Sequence, residues 1–350
     1  MPMRSLALLL GAAGVLAAQT ARPKILLIYD MEGLSGIDRQ EQTSAASPEY
    51  RKVGRIRLTE DVNAAIRGLT AGGAGEIVVT DGHGSGNNEE PDILLDRMDR
   101  RARFEFRDRP FSQYIDMPDP SYQAIVCIGM HARAETPGFL AHTFTIEPSW
   151  RVNGLDITET EIVAHSGARF GIPVIMASGD NVLQQQLGER LPQLEFALVK
   201  RARGRADADL LPLAEAHANI ENAAQRSVRK LAQFRPYPVA REYRWEMSFQ
   251  TPAQTDRAAN YPGLTRVGPR TVGYTSPDFV SGYHTATRLI SMASAERLSM
   301  LMEVVRKHPD GDRILEEYRK LLNGRWLEPD KTPPFPAPAA AKRTRWWGAN

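Results

Sequence analysis

Cysteine is almost missing from this chain: of 350 residues only Cys127 carries a thiol, inside the apolar run AIVCIG. A disulfide framework is thereby excluded, and so is a thiolate metal site. An excess of charge of one sign is missing too. The 44 basic side chains against 42 acidic ones leave a formal charge of +2, too little to suggest a nucleic-acid binder. Histidine is scarce, with seven residues, and no internal repeat is present. What remains is a chain of ordinary soluble composition, long enough for one large α/β domain or two smaller ones.

The N-terminus reads apart from the rest. MPMRSLALLLGAAGVLAAQTARPK has one early arginine, an apolar core from Leu6 to Leu16 and small residues around Ala17 and Ala18. This is the layout of a secretory signal peptide spanning residues 1–18. Its apolar segment is short for a membrane span, and no cysteine follows it to carry a lipid. The expectation is a periplasmic or secreted protein, with no membrane insertion once the signal is removed.

Four apolar runs follow, each ending in residue types that bind metals. KILLIY leads into Asp30 and Glu32, EIVVT into Asp81 and His83, AIVCIG into His131, and IPVIMASG into Asp180. Amphipathic stretches alternate with them, such as Val62, Ala65, Ile66 and Leu69 at helical spacing before Gly72 and Gly73. That alternation predicts parallel strands joined by right-handed crossovers. All such strands end at one edge of the sheet, where ligands bind. The topology therefore delivers distant residues to one crevice.

Each candidate also has a plain structural reading. Asp30 and Glu32 project to one side if the segment is extended, but exposed turn acids are commonplace. The loop GHGSGNN carries His83 without either phosphate-binding glycine pattern, and a histidine there can be a mere turn residue. His142 lies eleven residues beyond His131; if both reach the crevice, one can bind metal while the other moves protons. In TETEIVAHSGARF, Glu159 shares a helical face with Ile162, Val163, Ser166 and Phe170, so it needs a partner or a cation. Glu161 falls on another face and is expected to pair with His165 at the surface. His217, His284 and His308 read as structural, and Asp180 as a helix cap.

Two histidines and three carboxylates suit zinc, then manganese or cobalt. Five ligands exceed what one catalytic zinc takes from protein, whereas two metals sharing a carboxylate, with Asp30 as the natural bridge, would use them all. His142 would then stay unligated as acid, base or nucleophile.

The strings YDMEGLSG, TDGHGSGNN, GMHARAETPGFLAHTF and TETEIVAHSGARFGIPVIMASGD resemble, in order and spacing, the D-aminopeptidase DppA family, metallopeptidase family M55. The likeness runs from Lys24 to Ala295. It implies metal ligands at Asp30, Glu32, His83, His131 and Glu159, a catalytic histidine at His142 and two zinc ions. It also implies a ring-shaped homo-oligomer enclosing a chamber, and removal of N-terminal D-amino acids from short peptides. The signal peptide and the segment after Glu296 depart from that pattern.

The expected fold is a layered α/β structure, with a mainly parallel sheet flanked by helices and a smaller C-terminal α+β lobe. Residues 24–180 would carry the metal site, and 181–295 would shape the substrate site and make oligomer contacts. Residues 296–350 would form a helical extension and a disordered Pro/Ala-rich tail. The expected function is an exported dinuclear zinc aminopeptidase acting on short, D-Ala-containing peptides. The alternatives are another metal-dependent amide or ester hydrolase, or a non-catalytic periplasmic peptide-binding protein.

Overall fold

A computed structural model describes residues 22–84, 90–106, 111–146, 148–327 and 345–348. The expected signal peptide, part of the GHGSGNN loop and most of the tail lie outside the described residues. In chain order the elements begin with β1 (Lys24–Tyr29), α1 (Arg55–Gly72), β2 (Glu76–Asp81), β3 (Arg103–Phe106) and β4 (Ala124–Ile128). β5 (Ser149–Val152), β6 (Leu155–Asp156), α2 (Glu159–Ala168), β7 (Val174–Asp180) and α3 (Asn181–Arg190) follow. Then come β8 (Glu195–Gly204), β9 (Asp207–Leu210), α4 (Leu213–Arg229), β10 (Tyr243–Ser248), α5 (Pro252–Ala259), β11 (Thr265–Gly268) and β12 (Thr271–Ser276). The chain closes with α6 (Phe279–Ala293), α7 (Ala295–Lys307), α8 (Gly311–Leu327) and β13 (Arg345–Gly348).

The main sheet has the order β13-β3-β2-β1-β4-β7-β8-β9. From β3 to β8 all pairings are parallel; the two edge strands run antiparallel to their neighbours. The central strands are continuous apolar runs because both faces are covered. Leu26 and Ile28 of β1 enter one core cluster, while Ile25, Leu27 and Tyr29 enter the other. Helices α1 and α4 cover the second face; α2 and a five-stranded sheet of order β11-β12-β10-β5-β6 lie with the first. Among the described residues, no helix is long and apolar enough to cross a membrane.

The main sheet does not stop at residue 180, since β8 and β9 extend it beyond β7. Conversely β5, from before that residue, pairs with β10 in the smaller sheet. The chain thus crosses between the layers. The tail needs correction as well. Its RWWG segment, expected to be disordered, pairs antiparallel with β3 from Arg345 to Gly348. β3 offers an open backbone edge, and tryptophans suit a strand; Trp347 packs against the core beneath α1.

Candidate metal centre

From β1 the chain moves outward to β2 and β3, then returns to the opposite flank of β1 with β4, β7 and β8. The crevice beyond β1 and β4 is therefore a topological switch point, where open parallel sheets bind ligands. Asp30 follows β1 directly and His131 lies three residues beyond β4. Their two loops are stitched together by Asp30 N–H to Ile128 O at 2.7 Å and Gly33 N–H to Gly129 O at 2.8 Å. Glycine is required here: a Cβ on Gly33 would lie 1.8 Å from Met130 O, and Gly129 has φ +75°.

All six expected site residues converge on this crevice. His131 Nε2 lies 3.4 Å from Asp30 Oδ2 and 3.3 Å from Glu159 Oε1. His83 Nε2 lies 3.4 Å from Glu32 Oε1, and His142 Nε2 3.6 Å from Glu159 Oε1. The rings of His131 and His142 stack with centroids 4.0 Å apart. Asp30, Glu32, His131 and Glu159 are buried. Two overlapping triads, Asp30–Glu32–His131 and His131–His142–Glu159, each have ligand atoms within 4.8 Å of one another.

The hydrogen bonds show which ring nitrogens face the crevice. His131 Nδ1 lies 2.9 Å from Ala132 O and His142 Nδ1 2.8 Å from Leu140 O. A carbonyl only accepts, so each Nδ1 carries the proton and each neutral ring turns its Nε2 lone pair toward carboxylate oxygens. Lone pair against carboxylate is repulsive unless a cation lies between. Asp30 Oδ2, Glu32 Oε2 and His131 Nε2 are indeed buried without a hydrogen-bond partner, which is costly unless a metal takes those atoms. The donor set, imidazole and carboxylate with no thiolate, fits zinc.

Electrostatics carries the same message. Burial, reinforced by Glu32, pushes Asp30 up to about 7. Burial would also raise Glu159, but the charge of His131 outweighs it and holds that carboxyl at about 2. For His131, burial favours the neutral ring, yet Glu159 and Asp30 raise it well above the ordinary value. These opposing shifts mark a demand for positive charge at His131, where a metal would supply it. His142 shifts the other way, lowered by burial and then by His131. It is a neutral base at pH 7.

Several contributors had no readable signal in the sequence. Asp92 Oδ2 lies 3.0 Å from His83 Nδ1 and its other oxygen accepts from the Tyr50 hydroxyl; a carboxylate behind a ligating histidine fixes its tautomer. The Tyr114 hydroxyl bonds Glu159 Oε2 and lies 3.0 Å from Gly82 O, joining that glutamate to the loop of His83. Phe144 donates its backbone N–H to Glu159 Oε1 at 2.7 Å, from a left-handed conformation with φ 65°. Lys200, fully buried, touches the backbone of Glu32, and burial pushes it down to about 7. Asp180 caps α3 as expected, accepting from Leu183 N–H at 2.8 Å.

Glu161 departs from expectation. It is buried, and it closes a capping box with Thr158 by exchanging bonds of 2.8 and 3.1 Å. Its other oxygen lies 3.6 Å from Arg190. His165 stacks on Phe279 at 4.3 Å rather than pairing with Glu161. Helix α2 is buried on every side, so there is no solvent face for a surface pair. Glu159→Gln should weaken zinc binding beyond the roughly 10–100-fold cost of losing an outer partner. Glu161→Gln should leave it unchanged, since glutamine also closes a capping box. Zinc titration of both variants checks this, and the reverse ranking would displace Glu159 from the centre.

Comparison with known proteins agrees with this geometry. Residues 24–287 match the family model for the D-aminopeptidases of peptidase family M55. The D-aminopeptidase of Bacillus subtilis (strain 168) is 24% identical over 273 residues, covering 77% of this chain and 97% of that protein. A solved structure, the Zn-dependent D-aminopeptidase DppA from Bacillus subtilis, described as a self-compartmentalizing protease, matches with a TM-score of 0.72 and 23% identity. It covers 78% of this chain and 98% of its own. With three carboxylates and three imidazoles gathered at the switch point of such a sheet, the chain belongs to the D-aminopeptidase family of metallopeptidases, M55.

Proposed function

We propose that this protein is an exported, dinuclear zinc aminopeptidase that removes N-terminal D-amino acids, D-Ala among them, from short peptides. The observation that carries the reading is the set of buried, partnerless ligand atoms on Asp30, Glu32 and His131, with a neutral imidazole beside them. Asp30, Glu32, His83, His131 and Glu159 would hold the metals. When bound, such metals lower the pKa of a water and polarise the carbonyl under attack. The rest is the work of side chains. His142 takes the proton of the attacking water on Nε2 and returns it to the departing amine nitrogen. Leu140 O fixes its tautomer, and stacking on His131 fixes its plane. Tyr114, Phe144 N–H and Asp92 hold Glu159 and His83 in place.

Residues 181–295 shape the substrate side in this reading: Tyr283 of α6 packs edge-on against Phe144 at 5.6 Å, next to the centre. The homo-oligomer is supported by the likeness to the self-compartmentalizing neighbour; beyond the family match, α7 and α8 leave Leu298, Met300, Leu301, Val304, Tyr318 and Leu321 each more than half exposed. A second copy is the occupant we assign to that surface, in a ring enclosing the sites. Light scattering should give a mass several times that of one chain, and a strictly monomeric protein would remove the ring from the proposal. The N-terminal sequence of exported protein should begin after residue 18; retention of Met1 would contradict signal cleavage.

Hydrolysis of D-Ala-D-Ala and of its L-counterpart by the purified protein, with zinc and after chelation, tests the activity. D-selective turnover is the expected outcome. Turnover of esters but not of peptides would favour another hydrolase on the same centre, and peptide binding without turnover would favour a binding protein.

A further inference from the structure

One buried cation has no place in the chemistry above. Lys200 lies on β8, fully inaccessible to solvent. Its Nζ donates to Glu32 O at 2.8 Å and to Ile37 O at 2.6 Å, and sits 4.5 Å from the centroid of the Phe139 ring. Among the described residues, no carboxylate lies within ion-pair distance of it. An ammonium buried this way is costly, and a core position on a strand is ordinarily filled by an apolar side chain. Its neighbour Val199 is such a residue.

The two carbonyls belong to the loop after β1, which carries both Asp30 and Glu32. One nitrogen reaches the loop at Glu32 and again at Ile37, so the segment between them is closed into a single shape. The same loop is held elsewhere. Asp61 of α1 accepts from Ser35 N–H at 2.8 Å and from Ser35 Oγ at 2.5 Å, and His217 Nε2 lies 3.3 Å from that carboxylate. Gly33 N–H is tied to Gly129 O. These bonds hold the far part of the loop and its link to β4. Lys200 is a side chain bound to the backbone of the ligand residue Glu32 itself.

We propose that Lys200 is a positioning residue for the metal centre: by drawing the Glu32 and Ile37 carbonyls onto one ammonium it fixes the turn that aims the Glu32 carboxylate into the crevice. The inference rests on the reading of Glu32 as a metal ligand. It predicts that loss of the two bonds leaves a folded protein whose zinc affinity is reduced at the position Glu32 serves, while the remaining ligands still bind.

The test uses the full chain, stripped of metal and titrated with zinc against a fluorescent chelator, with thermal melting of the metal-free protein alongside. Lys200→Met removes the donors at similar length, and Lys200→Arg keeps charge and donors but splits them between spaced nitrogens. Val199→Ala weakens the same strand without touching the loop, and Glu32→Gln reports whether Glu32 is a ligand at all. Zinc affinity is expected to fall about 10–100-fold in Lys200→Met, the range for loss of an outer-shell partner, and about tenfold in Lys200→Arg. The zinc concentration for half-maximal activity should rise in parallel, with kcat recovering in excess zinc. Val199→Ala should lower the melting temperature and leave zinc affinity alone.

Should Lys200→Met fail to fold, Lys200→Arg decides: wild-type zinc affinity there overturns the proposal. Equal losses of affinity in Val199→Ala and Lys200→Met would reduce Lys200 to a core residue. An unaffected Glu32→Gln would remove the metal-ligand reading instead, a different failure from an unaffected Lys200→Met beside a weakened Glu32→Gln.

Discussion

Chelation should abolish peptide hydrolysis, lower the melting temperature by about 6 °C, and make that difference grow from pH 5 to pH 8. The loss of turnover follows from the crevice itself, whose three buried carboxylates cannot by themselves polarise a substrate carbonyl. The size of the thermal effect follows from linkage. A metal present at about a thousand times its Kd adds about 4 kcal/mol, and for a chain of 350 residues each kcal/mol shifts the midpoint by about 1.4 °C. The pH dependence has a definite sign. In the metal-free protein Asp30 is raised from 3.8 to about 7, by burial and then by Glu32. The native state thus binds an extra proton between those values, and its stability falls as pH rises through them. His131, raised by Glu159 and Asp30 against the effect of burial, acts in the same direction. Glu159, held at about 2 by His131, contributes oppositely, but only at more acid pH. The metal-bound protein requires deprotonated ligands, so its extra stability grows with pH. Calorimetric melting of both forms at pH 5, 6, 7 and 8 checks this. A constant gap, or full turnover by protein that mass spectrometry shows to be free of metal, would falsify the metal centre.

The sheet was legible because buried parallel strands are written as unbroken apolar runs, and KILLIY, EIVVT and AIVCI became β1, β2 and β4. The convergence of Asp30, His83 and His131 was legible for the same reason: parallel strands bring their ends to one edge. What a strand pattern does not contain is the partner a residue meets across the fold. Lys200 and Glu32 are 168 positions apart, and Tyr114 meets Glu159 across 45, with no local periodicity to mark either. Glu161 shows the limit of a helical wheel. The wheel separates Glu161 from Glu159 correctly, yet a wheel presumes a solvent side. Helix α2 has none, so Glu161 became a buried cap with Arg190 nearby. The shortest strands of the second sheet escaped for a similar reason. Its short strands, such as β5 with four residues and β6 with two, gain their identity only by pairing with β10, far along the chain.

His142→Ala should keep its zinc and lose between about a hundredfold and ten-thousandfold in kcat, the range for one general acid–base group. The competing role is a ligand's, because His142 stands in a candidate triad with His131 and Glu159. Geometry and charge weigh against it. The carboxylate it approaches is already held by the Phe144 N–H and the Tyr114 hydroxyl and faces His131 more closely. Burial and His131 lower its pKa below the ordinary imidazole value, which leaves Nε2 free to accept a proton at neutral pH. The loop that carries it holds Glu135, Leu140 and Phe144 at positive φ. Side chains are forced into that conformation only where the surroundings over-determine it, as they do at functional sites. The bond from Nδ1 to Leu140 O depends on this shape. The variant should therefore titrate with zinc like the wild type, with KM nearly unchanged, and the acid limb of its kcat profile should vanish with the imidazole that caused it. Loss of zinc in proportion to the loss of activity would make His142 a ligand, and another group would then have to move the proton.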